Sequence, residues 1–582
     1  MKPADPSDPA TPSRPTTPPV PPVPSPPEAL EAPEAPETPE APATPSVPGM
    51  GSLYPELDAV ALGAFAAALE SGDTSGLPPA RAAEVEAVRS VAVFSRGRVT
   101  GAGGVLLDAA LWRRKGSGPR PVVVMPAPWT NLGWVAYAVR AGAFAARGYD
   151  VLAYTPRGFG ASAGRADAAG PLDVADGSRA LDHLLERAAG PVTRIGFLGV
   201  SYGAGIGLLV AAHDPRVDAV GAFSAWGDLG EVLVENSTRR VGAVGALLAS
   251  AGRARLGPGT ERVLEDVLAG RELGGALRWA EERSPFGHVK EFNRRRLPVF
   301  LSHAWHETLL PANQTLKLFD ELTGPKRLVL SVGDHAGPGA GGLLGLPDRV
   351  WTDAHRWFDH HLMGLSNGVA DEGQVAAEVM WSGTVEHRPT RQALTRRVRR
   401  LHLTGGGRLA DRPEAGWTAG LLCGVDTPTA VADEVVRSGY AEMAGRPKVY
   451  RAGDIDRAVA ALWVGAPAED TLRLRGTPRL RVTYRAANPG SSFVAHLMDL
   501  APDGSARLVT HAPYSDLGSA PDSLVGADIE LQATAYDVPR GHRVLLVMAG
   551  RDALYADANL PRASLAFTSP EATPSYLDLP LG

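Results

Sequence analysis

The chain has 582 residues, enough for two or three domains, and a formal net charge of −6. Residues 1–50 contribute −5 of that charge, so the rest of the chain is nearly neutral and offers no basic field to attract nucleic acid. No run of 18 or more apolar residues occurs and the N-terminus lacks the apolar core of a secretion signal, so we expect no membrane association. Cys423 is the single cysteine, which excludes internal disulfides and indicates a reducing, cytoplasmic location.

Residues 1–50 differ in composition from the rest of the chain. They hold 18 of the 51 prolines and a loose EAPEAPETPEAP repeat. Such a segment buries too little apolar surface to offset the entropy lost on ordering. We therefore predict a disordered, Pro/Glu/Ala-rich tail over 1–50.

The globular sequence begins near Leu53 with an amphipathic helix, LDAVALGAFAAALES, followed by a hairpin-like stretch, SVAVFSRGRVTGAGGVLLDAALW. Apolar strand candidates then alternate with helical stretches, which favours a mostly parallel sheet covered on both faces. The strand candidates are PVVVMPA, DVLAYTP, RIGFLGV, VDAVGAFSA, LPVFLSHAW and KRLVLSVGD. We predict an α/β domain built from residues 51–226 and 297–370.

Two further regions complete the predicted organisation. Residues 227–296, between two of these strands, read as a helical insertion that would form a cap over the strand ends, where α/β proteins bind ligands. From about Val375 the pattern changes to short alternating strands with turns, as in RRLHLTGG and PRLRVTYRAANPG. Residues 371–582 are therefore predicted to form an all-β sandwich.

The pattern G-x-S-x-G, typical of the nucleophile elbow of hydrolases, occurs three times, around Ser162, Ser201 and Ser366. An elbow needs a buried strand before the serine and a helix with small residues after it. Ser201 has both, since it lies between RIGFLGV and YGAGIGLLVAAH. Ser162 lies in a loop-like stretch, and Ser366 follows the end of a predicted helix. Ser201 is the predicted nucleophile.

A serine nucleophile needs a histidine base and a carboxylate that orients it, and in hydrolases of this kind the chain order is Ser, then Asp or Glu, then His. His335 directly follows the strand KRLVLSVGD, and Glu307 follows LPVFLSHAWH. Asp334 is an alternative orienting group, but adjacent side chains seldom converge. The histidines of predicted helices are weaker candidates for the base: His183, His213, His360 and His361.

A metal site is the other chemistry that this region suggests, because His303, His306 and Glu307 lie close in sequence. No helical H-E-x-x-H motif is present, however, and consecutive strand residues face opposite sides of a sheet. The triad is the favoured interpretation, and we expect neither a metal nor another cofactor.

With these residues placed, the chain resembles the CocE/NonD hydrolases, which share their architecture with X-prolyl dipeptidyl peptidases. The resemblance covers about residues 90–582 and rests on several motifs: GVSYGA, RSPFGHVKEFNRRRLPVFLSHAWHETLLP, VGDHAGPG, RWFDHHLMGLSNG, LHLTGGGRL and DTLRLRGTPRLRVTYRAANPGSSFVAHLMDLAPDGSARL. It implies an α/β-hydrolase domain with a helical cap and a C-terminal jelly roll, acting on acyl esters or amides.

Two positions depart from the pattern of that family. The acid is normally Asp, and Glu307 stands in its place. In the esterases a tyrosine after the strand that matches PVVVMPAP gives its phenol to the oxyanion hole, whereas this chain has Trp129. The resemblance implies the backbone N–H of Tyr202 as one oxyanion donor. The second donor is either the Trp129 indole N–H or a backbone N–H.

These observations leave three functions open, and the substrate they imply is a small acyl ester or amide. The first is a serine hydrolase that works through an acyl-enzyme. The second is a dipeptidyl peptidase or amino-acid ester hydrolase, which must bind a substrate ammonium, with Glu231 and Glu235 of the cap as candidates. The third is a degenerate hydrolase that acts as a binding protein. The sequence does not indicate an oligomeric state.

Overall fold

The computed structural model describes residues 58–582, so the predicted tail over 1–50 lies outside the described residues. The first part of the described chain contains both helices and strands of the predicted α/β domain. Its helices are α1 (Ala59–Ser71), α2 (Pro79–Val91), α3 (Ala138–Arg147), α4 (Pro171–Arg187) and α5 (Tyr202–His213). Its strands are β1 (Ala92–Thr100), β2 (Leu106–Arg114), β3 (Arg120–Pro126), β4 (Asp150–Tyr154), β5 (Val192–Val200) and β6 (Ala219–Phe223).

The segment after β6 is mainly helical, as expected for a cap. Its elements are α6 (Leu229–Leu233), β7 (Val234–Glu235), β8 (Thr238–Arg239), α7 (Val241–Ala251), α8 (Pro258–Ala269), α9 (Leu273–Glu281) and α10 (Val289–Arg295). The helical stretch predicted over EVLVENSTRRVGAVGALLASAGRARL is interrupted by the hairpin of β7 and β8. Asn236 and Ser237 both have positive φ there, the conformation of a tight hairpin turn, and it breaks the helix.

The chain then returns to the α/β domain. Its remaining elements are β9 (Val299–Ala304), α11 (Ala312–Glu321), β10 (Lys326–Ser331), α12 (Gly337–Leu343), α13 (Arg349–Met363), β11 (Val375–Val379) and β12 (Thr384–Arg388). In the described part of the chain these strands form a ten-stranded sheet in the order β1-β2-β4-β3-β5-β6-β9-β10-β11-β12. Strands β3 and β9 are buried along their whole length because helices cover both faces of the sheet.

Parallel pairing of β5, β6, β9 and β10 places the carboxyl ends of these strands at one edge of the sheet. Ser201 follows β5, Glu307 lies shortly after β9, and His335 lies shortly after β10. Residues that are more than 100 positions apart in sequence are thereby brought to one place. This is the edge where open α/β sheets bind ligands.

The sequence prediction placed 371–582 in the all-β region, but β11 and β12 belong to the central sheet. Strand β11 pairs in parallel with β10, and β12 pairs antiparallel with β11. The error has a simple cause, because a short alternating strand looks the same in sequence whether it extends an existing sheet or starts a new one. The separate β region begins at β13.

The C-terminal region is all-β apart from one short helix, as predicted. Its elements are β13 (Arg397–Leu403), β14 (Leu409–Ala410), β15 (Thr418–Leu422), α14 (Arg437–Met443), β16 (Tyr450–Arg451), β17 (Ala460–Val464), β18 (Leu472–Gly476), β19 (Arg479–Ala486), β20 (Ser491–Leu500), β21 (Ser505–Asp516), β22 (Val525–Glu530), β23 (Thr534–Val538), β24 (Arg543–Ala549), β25 (Ser564–Thr568) and β26 (Tyr576–Leu581). They form a nine-stranded and a five-stranded sheet within the described residues. Trp463 of one sheet packs edge-on against Phe567 of the other, so the two sheets share an aromatic core.

Candidate active site

Ser201 lies on a sharp turn between β5 and α5. Its φ of 54° is in a region that non-glycine residues rarely adopt, as expected for a strained elbow. Two glycines make the turn possible: a Cβ at Gly203 would lie 2.0 Å from the Pro126 carbonyl oxygen, and one at Gly199 would lie 2.3 Å from the carbonyl carbon of Gly203. Helix α5 therefore begins in close contact with the end of strand β3, and the Ser201 hydroxyl lies at the carboxyl end of β5.

The three predicted triad residues come together. The Ser201 Oγ lies 2.7 Å from His335 Nε2, and His335 Nδ1 lies 2.5 Å from Glu307 Oε1. All three side chains are buried. The arrangement is that of a nucleophile, a base and a carboxylate that fixes the orientation of the base.

Asp334, the alternative to Glu307, has a different set of partners. Its Oδ1 accepts hydrogen bonds from the backbone N–H groups of Thr308 (2.6 Å) and His335 (2.6 Å), and its Oδ2 accepts one from the Thr308 hydroxyl (2.7 Å). The carboxyl group thus connects the loop that carries Thr308 with the loop that carries His335. Glu307 is the carboxylate within reach of His335.

Burial changes the acidity of both carboxyl groups, because a carboxylate without water loses its hydration energy. It raises the pKa of Glu307 to about 8 and that of Asp334 to about 7. The Asp334 pKa is raised further by the neighbouring Glu307 charge. The main opposing influence on the Glu307 pKa is the nearby His303 imidazole, which lowers it.

An apolar cavity opens beside the Ser201 hydroxyl, between the strand ends and the cap. Its wall is made almost wholly of aliphatic and aromatic side chains, and among residues 58–582 no Asp, Glu, Lys or Arg contributes to it. The lining residues are Trp129, Ala168, Ser201, Tyr202, Trp226, Leu229, Val232, Leu233, Ala243, Val244, Leu247, Leu264, Trp279, Leu309, Leu310 and His335. Such a wall suits an uncharged, apolar group.

The two predicted acidic candidates of the cap lie away from this cavity. Glu231 forms a surface ion pair with Lys317 (2.6 Å). Glu235 is buried, where it pairs with Arg240 and accepts a hydrogen bond from Gln532. Both carboxylates are therefore occupied by protein partners, and neither faces the Ser201 hydroxyl.

Trp129 and Tyr202, the predicted oxyanion residues, both line the cavity next to Ser201. Their backbone N–H groups donate to no protein acceptor within residues 58–582. The indole N–H of Trp129 instead donates to the Leu247 carbonyl of the cap (3.2 Å). Because this N–H already has a partner in the cap, the contact favours the backbone alternative for the second donor.

The other sequence candidates lie outside the triad. The Ser162 hydroxyl is buried in a loop, where it donates to the Thr155 carbonyl (2.6 Å), and Ser366 is exposed after α13. His303 Nε2 lies 2.7 Å from the Leu310 carbonyl oxygen, and both ring nitrogens of His306 contact groups of the C-terminal region. His303 Nε2 also lies 4.0 Å from Glu307 Oε2, whereas the His306 imidazole is held by Glu442 and the Val509 carbonyl, so the two imidazoles do not meet Glu307 at one point.

One polar pair beside the site was missed by the sequence analysis. The Tyr202 hydroxyl donates to Asp173 Oδ2 (2.6 Å), which also accepts the Ala169 N–H (2.9 Å). Burial raises the pKa of Asp173 to about 7. Asp173 lies in the first turn of α4, where an acidic residue is unremarkable, so no sequence signal distinguished it.

Two family models match most of the chain. The family model described as X-Pro dipeptidyl-peptidase (S15 family) matches residues 103–337, and the model of the X-Pro dipeptidyl-peptidase C-terminal non-catalytic domain matches 367–577. A putative Xaa-Pro dipeptidyl-peptidase from Streptomyces avermitilis is 25% identical over 334 residues, which is 47% of this chain and 46% of the relative. The match thus spans about half the length of that curated relative.

Solved structures share the fold at low sequence identity. A CocE/NonD family hydrolase from Staphylococcus aureus superposes with a TM-score of 0.65 at 13% identity, covering 84% of this chain and 94% of its own. An α-amino acid ester hydrolase superposes with a TM-score of 0.60 at 16% identity, covering 84% and 97%. The two family models together match more than half of the chain, in the order α/β domain and then β domain. The chain therefore has the domain pair of an S15-like hydrolase, in which an α/β domain that matches the S15 family is followed by the matching C-terminal β domain.

Proposed function

We propose that this protein is a serine hydrolase that cleaves an acyl ester or amide through an acyl-enzyme on Ser201. The observation that carries the proposal is the buried hydrogen-bonded chain from Ser201 through His335 to Glu307, at the edge of an apolar cavity. Family membership supports the same chemistry.

The steps of the reaction are assigned to these residues. His335 Nε2 takes the Ser201 proton as the hydroxyl attacks the acyl carbon, and the Glu307 carboxylate stabilises the resulting imidazolium. The backbone N–H groups of Tyr202 and Trp129 donate to the oxyanion. His335 then protonates the leaving group, and a water molecule activated by the same imidazole hydrolyses the acyl-enzyme.

The cavity favours an esterase that accepts an uncharged, apolar group. A dipeptidyl peptidase or amino-acid ester hydrolase, the second candidate, must hold a substrate ammonium, and burying an unpaired ammonium in an apolar wall is costly. The family model and the Streptomyces avermitilis relative are both named as X-Pro dipeptidyl-peptidases, which favours this second candidate. The carboxylates of Glu231 and Glu235, which could bind a substrate ammonium, are paired with Lys317 and Arg240. This pairing supports an ester with an apolar acyl group as the substrate.

A fluorophosphonate probe tests the proposal, because only an activated serine reacts with it. We expect stoichiometric labelling of the wild type and none of Ser201→Ala, whose turnover should fall by about 10⁶ if the triad acts as a unit. Ser366→Ala is the matched control, since its hydroxyl is exposed, and should keep wild-type kcat. An unlabelled wild type would favour the degenerate, binding-protein alternative.

The substrate class is tested by comparing two sets of chromogenic substrates. We expect nitrophenyl esters of apolar acids to be cleaved with a kcat/KM at least 100-fold above that of X-Pro nitroanilides and of amino-acid esters with a free ammonium. A preference for the substrates with a free ammonium would overturn the esterase assignment and leave the serine-hydrolase proposal intact.

A further inference from the structure

A short segment of the C-terminal region, residues 436–442, contacts both loops that carry the acid and the base. The segment begins just before α14 and includes Gly439 and Glu442. The acid loop, residues 305–311, follows β9, and the base loop, residues 332–336, follows β10. This part of the chain lies within the match to the domain model described as non-catalytic.

On one side of Glu307, the segment holds His306. The His306 Nδ1 lies 2.9 Å from Glu442 Oε2, and its Nε2 lies 3.1 Å from the Val509 carbonyl oxygen of β21. Although burial opposes it, the Glu442 charge raises the pKa of His306 to about 9, so the imidazole is charged and donates from both nitrogens. The residue directly before the catalytic acid is thus bound on both sides by the C-terminal region.

On the other side of Glu307, the segment holds Thr308. The Val436 N–H donates to the Thr308 hydroxyl oxygen (3.0 Å), and that hydroxyl donates to Asp334 Oδ2 (2.7 Å). Val436 has a φ of 69°, a strained value for a β-branched residue, so the surrounding contacts hold it there. A hydrogen-bonded path therefore runs from the C-terminal region through Thr308 to Asp334, the residue directly before His335.

Side-chain and backbone packing also connects the segment with the base loop. A Cβ at Gly439 would lie 2.2 Å from the Cβ of Asp334, so only glycine permits the backbone of the segment to approach this closely. The Met443 side chain, one position beyond the segment, packs in the same way against Gly333 and Gly337. The base loop is thus in contact with α14 at Gly333 and Asp334.

We propose that residues 436–442 position the acid and base, so that the 2.5 Å contact between Glu307 and His335 depends on the docked C-terminal region. The inference rests on the proposed function. None of residues 436–442 is among the residues that line the cavity. They act by holding the neighbours of Glu307 and His335. A displacement of about 1 Å between catalytic groups is enough to lower a rate by about 100-fold.

Thr308 offers the most direct test, because one substitution removes its hydroxyl at constant volume and another retains the hydroxyl. Thr308→Val keeps the volume and removes both hydrogen bonds, and Thr308→Ser keeps the hydroxyl. We expect Thr308→Val to lower kcat and the rate of fluorophosphonate labelling by 10- to 100-fold with KM within about twofold. Thr308→Ser should restore both to within about threefold of wild type. Circular dichroism and the melting temperature monitor folding separately.

Glu442→Gln provides a second variant that removes charge with little change in shape. Its matched control is Glu386→Gln, which also removes an ion pair between the central sheet and the C-terminal region, namely that with Arg475 (2.9 Å), but far along the chain from both catalytic loops. We expect Glu442→Gln to lower kcat about tenfold and Glu386→Gln to affect stability alone. Equal kcat losses in the two variants would overturn the proposal, because they would indicate a general effect of weakened docking.

The two proposals fail in different ways. If the wild type is labelled and Thr308→Val, correctly folded, is labelled at the same rate, the positioning proposal fails and the hydrolase proposal stands. If the wild type is not labelled, the hydrolase proposal fails, and the low-field proton resonance of the His335 Nδ1–H bonded to Glu307 serves as the readout. If this resonance is lost in Thr308→Val and retained in Thr308→Ser, the positioning proposal is supported. If the resonance is retained in both variants, the positioning proposal is overturned.

Discussion

At the scale of single residues, the identity of the orienting carboxylate decides how the base is held. Glu307→Gln replaces a charge acceptor by a neutral amide that neither stabilises the imidazolium nor fixes the tautomer. We expect kcat to fall by about 10⁴, measured by steady-state hydrolysis of the preferred ester. Glu307→Asp keeps the charge but shortens the side chain by one methylene group, so we expect an intermediate loss of kcat of about 10- to 100-fold. A Glu307→Gln enzyme with near-normal kcat would show that another carboxylate orients His335.

Trp129 has two groups that could donate to the oxyanion, the indole N–H and the backbone N–H, and a substitution distinguishes them. The indole N–H is bonded to the Leu247 carbonyl, and the ring packs edge-on against Tyr202 with centroids 5.1 Å apart. We therefore expect Trp129→Phe, which keeps the backbone donor and a flat ring, to leave kcat within about threefold of wild type. Any change should appear in KM, since the ring lines the cavity. A fall in kcat of about 10²–10³ would instead show that the indole donates to the oxyanion in the reacting complex.

At the scale of elements, the contact between helix α5 and strand β3 determines whether the elbow forms. Gly203→Ala would place a methyl group 2.0 Å from the Pro126 carbonyl oxygen, so the helix would have to move away from the strand. Gly207, one turn further along the same helix, meets its nearest neighbour at an ordinary 3.6 Å. We expect Gly203→Ala to lose at least about 1–3 kcal/mol of stability and nearly all labelling of Ser201. Gly207→Ala should be fully labelled and as stable as wild type or slightly more so.

The same elements show what the sequence predicts and what it cannot. Each of the strand candidates from PVVVMPA to KRLVLSVGD is a strand of the central sheet, because continuous apolar runs between helices are typical of buried parallel strands. Chain order and position after β9 and β10 led to Glu307 and His335. The hairpin at Asn236 was not predicted, since a two-residue turn leaves little signal in a helical context. Which of two Trp129 donors faces the nucleophile depends on Leu247, a cap residue 118 positions away, and such a contact has no local pattern.

At the scale of the whole molecule, separate parts of the chain surround one site. The α/β domain supplies the triad, the cap supplies apolar residues such as Leu247 and Leu264 to the cavity, and the C-terminal region holds the catalytic loops. The folded chain buries carboxyl groups at and beside the triad, and this burial raises the pKa values of Glu307, Asp334 and Asp173. The stability of the folded protein is therefore linked to pH through groups at the site.

Asp173 allows this linkage to be measured, because its folded pKa of about 7 lies well above its ordinary value of 3.8. Below pH 3.8 both folded and unfolded chains hold the proton; between 3.8 and 7 only the folded chain does, so the free energy of unfolding falls as pH rises through that window. The full effect is about 4 kcal/mol, with a maximal slope of about 1.4 kcal/mol per pH unit. Glu307 and Asp334 add changes of the same sign.

Asp173→Asn removes one titrating group while keeping an oxygen that can accept the Tyr202 hydroxyl. In urea unfolding at pH 5, 6, 7 and 8, the free energy of unfolding of the wild type relative to that of the variant should fall as the pH rises, by about one proton's contribution. Asp411→Asn, which alters an exposed carboxylate, is the control and should follow the wild-type curve. Parallel curves for wild type and Asp173→Asn would mean that Asp173 is ionised in the folded protein throughout this range, and that its contact with Tyr202 is an ordinary charged hydrogen bond.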